Sequence, residues 1–147
     1  MKIGAVGLGN RIAHVYHELT KVNNEADLIA YVDPLPIGKE YAEKNNFFPS
    51  KKYSTLNEML SNEKLDLLMI GSPNHLHLEH IKIGLNAGVK MFAEKPIVID
   101  ENQSFELAKL LSEFGHDQVL VGLVLRYSQH ARSVRSLIDK NILGNII

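Results

Sequence analysis

The feature that most constrains this 147-residue chain is a regular alternation of short apolar runs with longer amphipathic ones. Short apolar runs bounded by Gly, Pro, Asn or Asp read as buried strands. Six occur, at Lys2–Val6, Asp27–Val32, Lys52–Tyr53, Asp66–Ile70, Val89–Ala93 and Gln118–Leu125. The segments after them predict helices over Asn10–Lys21, Pro36–Asn46, Leu56–Ser61, Leu76–Asn86, Asp100–Phe114 and Ser128–Lys140. Strands joined by helices are βαβ units, and these build a parallel sheet. Right-handed crossovers then make 3-2-1-4-5-6 the expected strand order. The expected fold class is α/β, a doubly wound parallel sheet in three α/β/α layers, the Rossmann fold. Length assigns residues 1–147 to one domain.

Composition narrows the function classes. Lys and Arg number 16 against 17 Asp and Glu, so no basic excess points to nucleic acid. No apolar run approaches 18 residues, and no membrane span is expected. The glycine-broken start Met1–Gly7 does not read as a signal peptide. Cysteine is absent, which excludes disulfide and thiol chemistry and fits a cytoplasmic location.

The chemistry-bearing residues follow the strands. Gly7, Leu8, Gly9, Asn10, Arg11 and Ile12 link the first strand to the first helix. Gly7 permits a tight turn and Gly9 the close approach of a pyrophosphate, which the helix N-terminus attracts. The third glycine of that fingerprint is replaced by Ile12, which bears on how closely helix and strand pack. Asp33 ends the second strand, 24 residues after Gly9, where an acid accepts from adenosine ribose hydroxyls and repels a 2′-phosphate. It therefore favours NAD as cofactor, although Arg11 can reach a 2′-phosphate and keeps NADP possible. Asp33-Pro34 is also an ordinary turn opening.

Gly71, Ser72, Pro73 and Asn74 end the fourth strand and lead to His75 and His77. Asn74 or His75 is expected to cap the next helix. Gly71, Ser72, Pro73, Asn74 and His77 are also candidates for the ribose or nicotinamide side. His75, His77 and His80 do not share one face, so no metal site is expected. Glu94, Lys95 and Pro96 end the fifth strand. Lysine is readily brought to a useful pKa by burial, and proline fixes the turn behind it. Arg126 follows the sixth strand, either facing substrate and cofactor or pairing with a carboxylate at a domain boundary. A parallel sheet gathers all these strand ends along one edge, where ligands bind.

With these motifs laid out, the chain resembles the N-terminal domain of the Gfo/Idh/MocA oxidoreductases. The resemblance rests on VGLGN, VDP, GSPNHLH, AEKP and LVLRYS, each after its strand, and on the ending LIDKNILGNI. It implies NAD(P)-dependent transfer of hydride from a hydroxyl of a sugar, cyclitol or related small molecule. It makes Lys95 the catalytic residue that assists deprotonation of that hydroxyl, with Glu94 contacting cofactor or orienting the lysine. It also implies a cis peptide before Pro96. The family carries a second, C-terminal substrate domain and assembles as homo-oligomers. That domain is absent from this sequence, so the chain alone is expected to be inactive. A catalytically idle NAD-binding regulatory or redox-sensing module is the alternative. A flavodoxin-like or response-regulator domain needs acids at the first strand end, where glycines stand.

Overall fold

The computed structural model describes residues 1–49 and 51–144. Six strands form one parallel sheet, β1 (Lys2–Val6), β2 (Asp27–Val32), β3 (Lys51–Lys52), β4 (Leu67–Ile70), β5 (Lys90–Ala93) and β6 (Val119–Val121). Their order is β3-β2-β1-β4-β5-β6, as the crossover rule requires. The helices are α1 (Asn10–Val22), α2 (Lys39–Lys44), α3 (Leu56–Asn62), α4 (His77–Asn86), α5 (Glu101–Phe114) and α6 (Gln129–Asp139). Of the ending LIDKNILGNI, residues 145–146 lie outside the described residues.

Strand side chains alternate between two cores, as the period of a pleated strand dictates. Leu68, Ile70, Met91 and Ala93 pack with Met59, Ile81, Leu85 and Leu107 from α3, α4 and α5. Ile3, Ala5 and Met69 pack on the other face with Ile12 and Tyr16 from α1. Burial of both faces explains why the central strands read as continuous apolar runs. A register shift between Ile3 and Gly4 places Leu28 and Ala30 against them, leaving Ile29 extra.

Local signals account for the helix ends. Thr55 caps α3 by accepting from the Glu58 amide at 3.1 Å. Asp100 caps α5 through the Gln103 amide, and Gln103 Oε1 accepts from Ile99 N–H in return. Gly88, at φ +67°, terminates α4 in the left-handed conformation that favours glycine.

Three expectations change. The segment read as a helix from Pro36 is a turn as far as Gly38, whose N–H donates to the Leu8 carbonyl at 3.0 Å. Neither Asn74 nor His75 caps a helix: the chain passes through a 3₁₀ turn, Asn74–Leu76, into α4 without a side-chain cap. The sixth strand stops at Val121, and Val124–Tyr127 is a 3₁₀ turn. Gly122 follows the strand at a point where a side chain would press against the Glu94 carboxylate and the Phe92 ring.

Candidate active site

All the strand ends emerge on one edge of the sheet, and two connected cavities line that edge. The first, about 560 Å³, is bounded by Gly7, Gly9, Asp33, Pro34, Leu35, Ile37, Pro73, Leu76 and His80. The second, about 330 Å³, is bounded by Arg11, Ile12, Asn74, His77, Glu94, Lys95, Gly122 and Val124. Gly9, Gly71 and Ser72 line both, so the glycine turn is the neck of one two-lobed cleft. A larger depression of about 700 Å³, walled by Lys2, Tyr16 and Phe47, includes none of these strand-end residues.

The neck is built by glycines. Gly7 sits at φ +80°, and a side chain there would strike the backbone of Gly71 and Ser72. Gly9 faces open space, with Ile37 the nearest neighbour at 3.9 Å from a hypothetical Cβ. Helix α1 begins at once behind it, with no side-chain cap and no acid in its first turn. Its unpaired N–H groups and positive dipole end are therefore available to an anion. Leu8 is buried beneath the turn, so its backbone alone faces this region. Asn10 is exposed and its carbonyl accepts from His14 Nδ1 at 2.7 Å.

The missing third glycine is compensated across the turn. Ile12 packs against Gly71, whose Cβ would collide with Ile12 Cγ1 and lie 2.9 Å from the Gly7 carbonyl. The small residue needed for close packing is on the strand side instead of the helix side. Gly71→Ala is expected to cost about 1–3 kcal/mol by overpacking. Ile12→Ala is expected to cost about 2–5 kcal/mol by leaving a cavity. The double variant should be less destabilised than the sum, by about 1 kcal/mol or more. Urea unfolding of the four proteins measures that coupling; strict additivity would contradict the packing described.

In the first lobe, Asp33 Oδ1 accepts from the Leu35 N–H at 2.8 Å, so the turn role is real. The carboxylate also lines the cavity, as the ribose reading needs. Arg11 does not share this lobe. Its Nε donates to Glu94 Oε1 at 3.0 Å, in the second lobe. Here the Arg11 Nε makes a charge-assisted bond to a buried acid, away from the lobe that Asp33 lines.

In the second lobe, Glu94 is buried and Lys95 exposed. The burial expected of the lysine is not supplied by this chain. The Lys95–Pro96 peptide is cis, as the family resemblance implies. His77 is buried, with both ring nitrogens within 2.7 Å of backbone carbonyls. Pro73 and Asn74 are exposed on opposite sides of the neck, one in each lobe. Arg126 leaves the strand-end cluster: it lies with Arg132, Arg135 and Asp139 in a depression beside α6. Sequence reasoning passed over Ile37, Gly38, Gly122 and Val124. The two glycines carried a signal, since glycine in or beside a regular element marks close backbone approach. A Gly38 side chain would press on the Leu8 and Gly9 carbonyls.

His80 lines the first lobe with Nδ1 2.8 Å from Ser72 Oγ. Burial, then the neighbouring charge of His77, holds it below the ordinary histidine range, against a smaller opposing pull from Glu79. The unfolded chain therefore takes up a proton below about pH 6.5 that folded His80 resists. Stability from this site is full above that pH and falls as the medium is acidified. His80→Gln should flatten this acid limb in urea midpoints between about pH 7 and 5; an unchanged slope would contradict it.

A glycine turn feeding a bare helix N-terminus, with an acid at the second strand end, defines a dinucleotide-binding domain of the Rossmann class. A family model described as an oxidoreductase family with an NAD-binding Rossmann fold matches residues 1–137. The inositol 2-dehydrogenase/D-chiro-inositol 3-dehydrogenase of Lactiplantibacillus plantarum is 24% identical over 143 residues, 97% of this chain and 41% of that protein. The crystal structure of myo-inositol 2-dehydrogenase from Lactobacillus plantarum superposes with a TM-score of 0.85 at 26% identity, covering 100% of this chain and 43% of that one. Scyllo-inositol dehydrogenase from Lactobacillus casei, solved with bound NAD(H) and scyllo-inositol, gives 0.82 at 26% identity, covering 99% and 43%. The chain belongs to the Gfo/Idh/MocA oxidoreductase family, as its NAD-binding domain. It spans less than half the length of these relatives. Among the described residues no helix is long and apolar enough to cross a membrane.

Proposed function

We propose that this chain is the cofactor-binding half of an NAD-dependent dehydrogenase acting on a hydroxyl of a cyclitol, sugar or related polyol. The observation that carries the reading is the position of Lys95 in the lobe that continues from the glycine turn. NAD, when bound, supplies the hydride acceptor. The α1 N-terminus and Gly9 would hold its pyrophosphate, Asp33 its ribose, and Ser72, Asn74 and Glu94 would border its reactive end. The Lys95 amine would hydrogen-bond the substrate hydroxyl and receive its proton as the hydride leaves the same carbon. The Arg11–Glu94 pair keeps the buried carboxylate anchored beside it. The inositol dehydrogenases among the relatives support the polyol class.

The remainder of the site is assigned to a second domain. Leu120 on β6 is exposed, and so are Val134, Leu137 and Ile138 of α6, a helix with no buried residue. Apolar surface of this kind marks a contact face. The second domain would cover it, shield Lys95 from water, complete the polyol pocket and supply an oligomer interface.

The test is a dehydrogenase assay with NAD on a panel of cyclitols and sugars. The 147-residue chain should bind NADH and turn over negligibly. The protein encoded by the whole reading frame should oxidise a member of the panel. Robust turnover by the chain alone would refute the two-domain reading. Cofactor binding without turnover by the whole protein would favour an idle module.

A further inference from the structure

Arg11 stands in the first turn of α1 and is half exposed, yet it does not line the lobe that holds Asp33. It lines the second lobe, with Glu94 and Lys95. Its Nε donates to Glu94 Oε1 at 3.0 Å, and among the described residues Arg11 side-chain nitrogens make no other hydrogen bond. A guanidinium carries five N–H donors, so the four on its two Nη atoms are left over. Glu94 restrains the plane in which they lie. It is 8% exposed, and a Cβ on Gly122 would come 3.0 Å from its Oε1.

The charge lining this lobe is lopsided. Arg11 and Lys95 face one acid, Glu94, which is already bonded to Arg11. Lys95 receives a proton in the step proposed above, so it is not a constant counter-charge. Arg11 stays charged throughout. A permanently charged, planar fork of N–H donors matches a carboxylate or a phosphate. The hydroxyls of a neutral polyol need no counter-charge.

We infer that Arg11 is a specificity residue that grips an oxyanion, carboxylate or phosphate, borne by the substrate. Glu94 is the positioning residue that holds it. The substrate class is thereby narrowed to acids or phosphate esters of a sugar or cyclitol. This rests on the function proposed above, because substrate enters the lobe only to meet Lys95. The competing occupant is the pyrophosphate of the cofactor. That group is assigned to Gly9 at the neck, which lines both lobes, whereas Arg11 is tied to Glu94 on the Lys95 side.

The test is nuclear magnetic resonance of the 147-residue chain, read at the Arg11 side-chain N–H signals, with NADH in excess and ionic strength held constant. The probes are two matched pairs, glucuronate with glucose and inositol monophosphate with inositol. At least one anion should move the Arg11 signals saturably, and its neutral counterpart should not. The tighter anion tells a carboxylate site from a phosphate site. No response to either anion, or an equal response to the neutral compounds, would overturn the inference. So would anions that bind the free chain and are expelled by NADH, since Arg11 would then serve the pyrophosphate. Arg11→Gln should weaken the anion about 10–100-fold, read at the Lys95 backbone signals. Should that variant fail to fold because Glu94 loses its partner, the wild-type titration still decides. In the protein encoded by the whole reading frame, Arg11→Gln should raise KM for the anionic member of a pair, with kcat nearly unchanged, and spare the neutral member. Equal losses on both would overturn the inference. A chain that bound no NADH would refute the proposed function, and anion binding at Arg11 would then stand without it.

Discussion

Replacing Lys95 by methionine should lower hydride transfer by the proposed two-domain enzyme about 10²–10⁴-fold, the usual contribution of a positioned acid–base group. The side chain lines the second lobe but is exposed, so its removal leaves no buried group unpaired and no cavity in the core. Folding stability and NADH affinity should therefore change little. Turnover should fall through kcat, because the proton acceptor is lost while the glycine turn and Asp33 remain. Stopped-flow measurement of NADH formation, beside a binding titration of the same variant, separates the two effects. A variant that retains turnover within about threefold would show that Lys95 is not the proton acceptor. That margin is far less than one acid–base group contributes.

The second large effect is expected at the opposite end of the neck. Gly7→Ala places a side chain at φ +80°, in line with the Ser72 backbone. Left-handed backbone costs an L-residue roughly 1–2 kcal/mol, and overpacking adds about 1–3 kcal/mol. The obstruction is backbone, so no rotamer change relieves it; β1 and β4 would have to separate. A loss of roughly 2–5 kcal/mol is a large part of a typical domain's stability. The same displacement opens the neck that both lobes share, so NADH binding should be lost along with stability. Gly9→Ala provides the contrast, since its Cβ would meet nothing nearer than Ile37. It should leave stability nearly unchanged and weaken NADH, because the methyl group occupies space a pyrophosphate needs. Thermal unfolding and NADH titration of both variants check the pair. Equal stability losses at Gly7 and Gly9 would contradict the account of the turn.

The strand order was legible in the sequence because the central runs, such as Asp66–Ile70 and Val89–Ala93, are mostly apolar, with one charged residue each, and are separated by helical segments. The edge of the sheet was harder to read. The run beyond Val121 stays apolar through Leu125, yet the strand stops at Val121 and Val124–Tyr127 forms a 3₁₀ turn. Pattern reports burial and not direction, so Arg126 was assigned to a strand end it does not occupy. The candidate site residues other than Arg126 could be named from the sequence because each lies just after a strand or at the start of the helix behind it. Their partners could not, because the contacts cross the chain. Arg11 meets Glu94 over 83 positions. His77 meets the Pro96 carbonyl, and a backbone acceptor leaves no mark on residue identity. The Ile12–Gly71 exchange was invisible for a related reason: a missing glycine shows in a motif, but its counterpart on another strand does not.

The central claim is that the two-lobed cleft from Asp33 to Lys95 is an NAD site, and calorimetric titration of the 147-residue chain with NADH and NADPH tests it most directly. The account predicts one NADH per chain, bound more tightly than NADPH, since Asp33 lines the ribose lobe and Arg11 is held by Glu94 in the other. No binding of either cofactor, or NADPH bound as tightly as NADH, would contradict it.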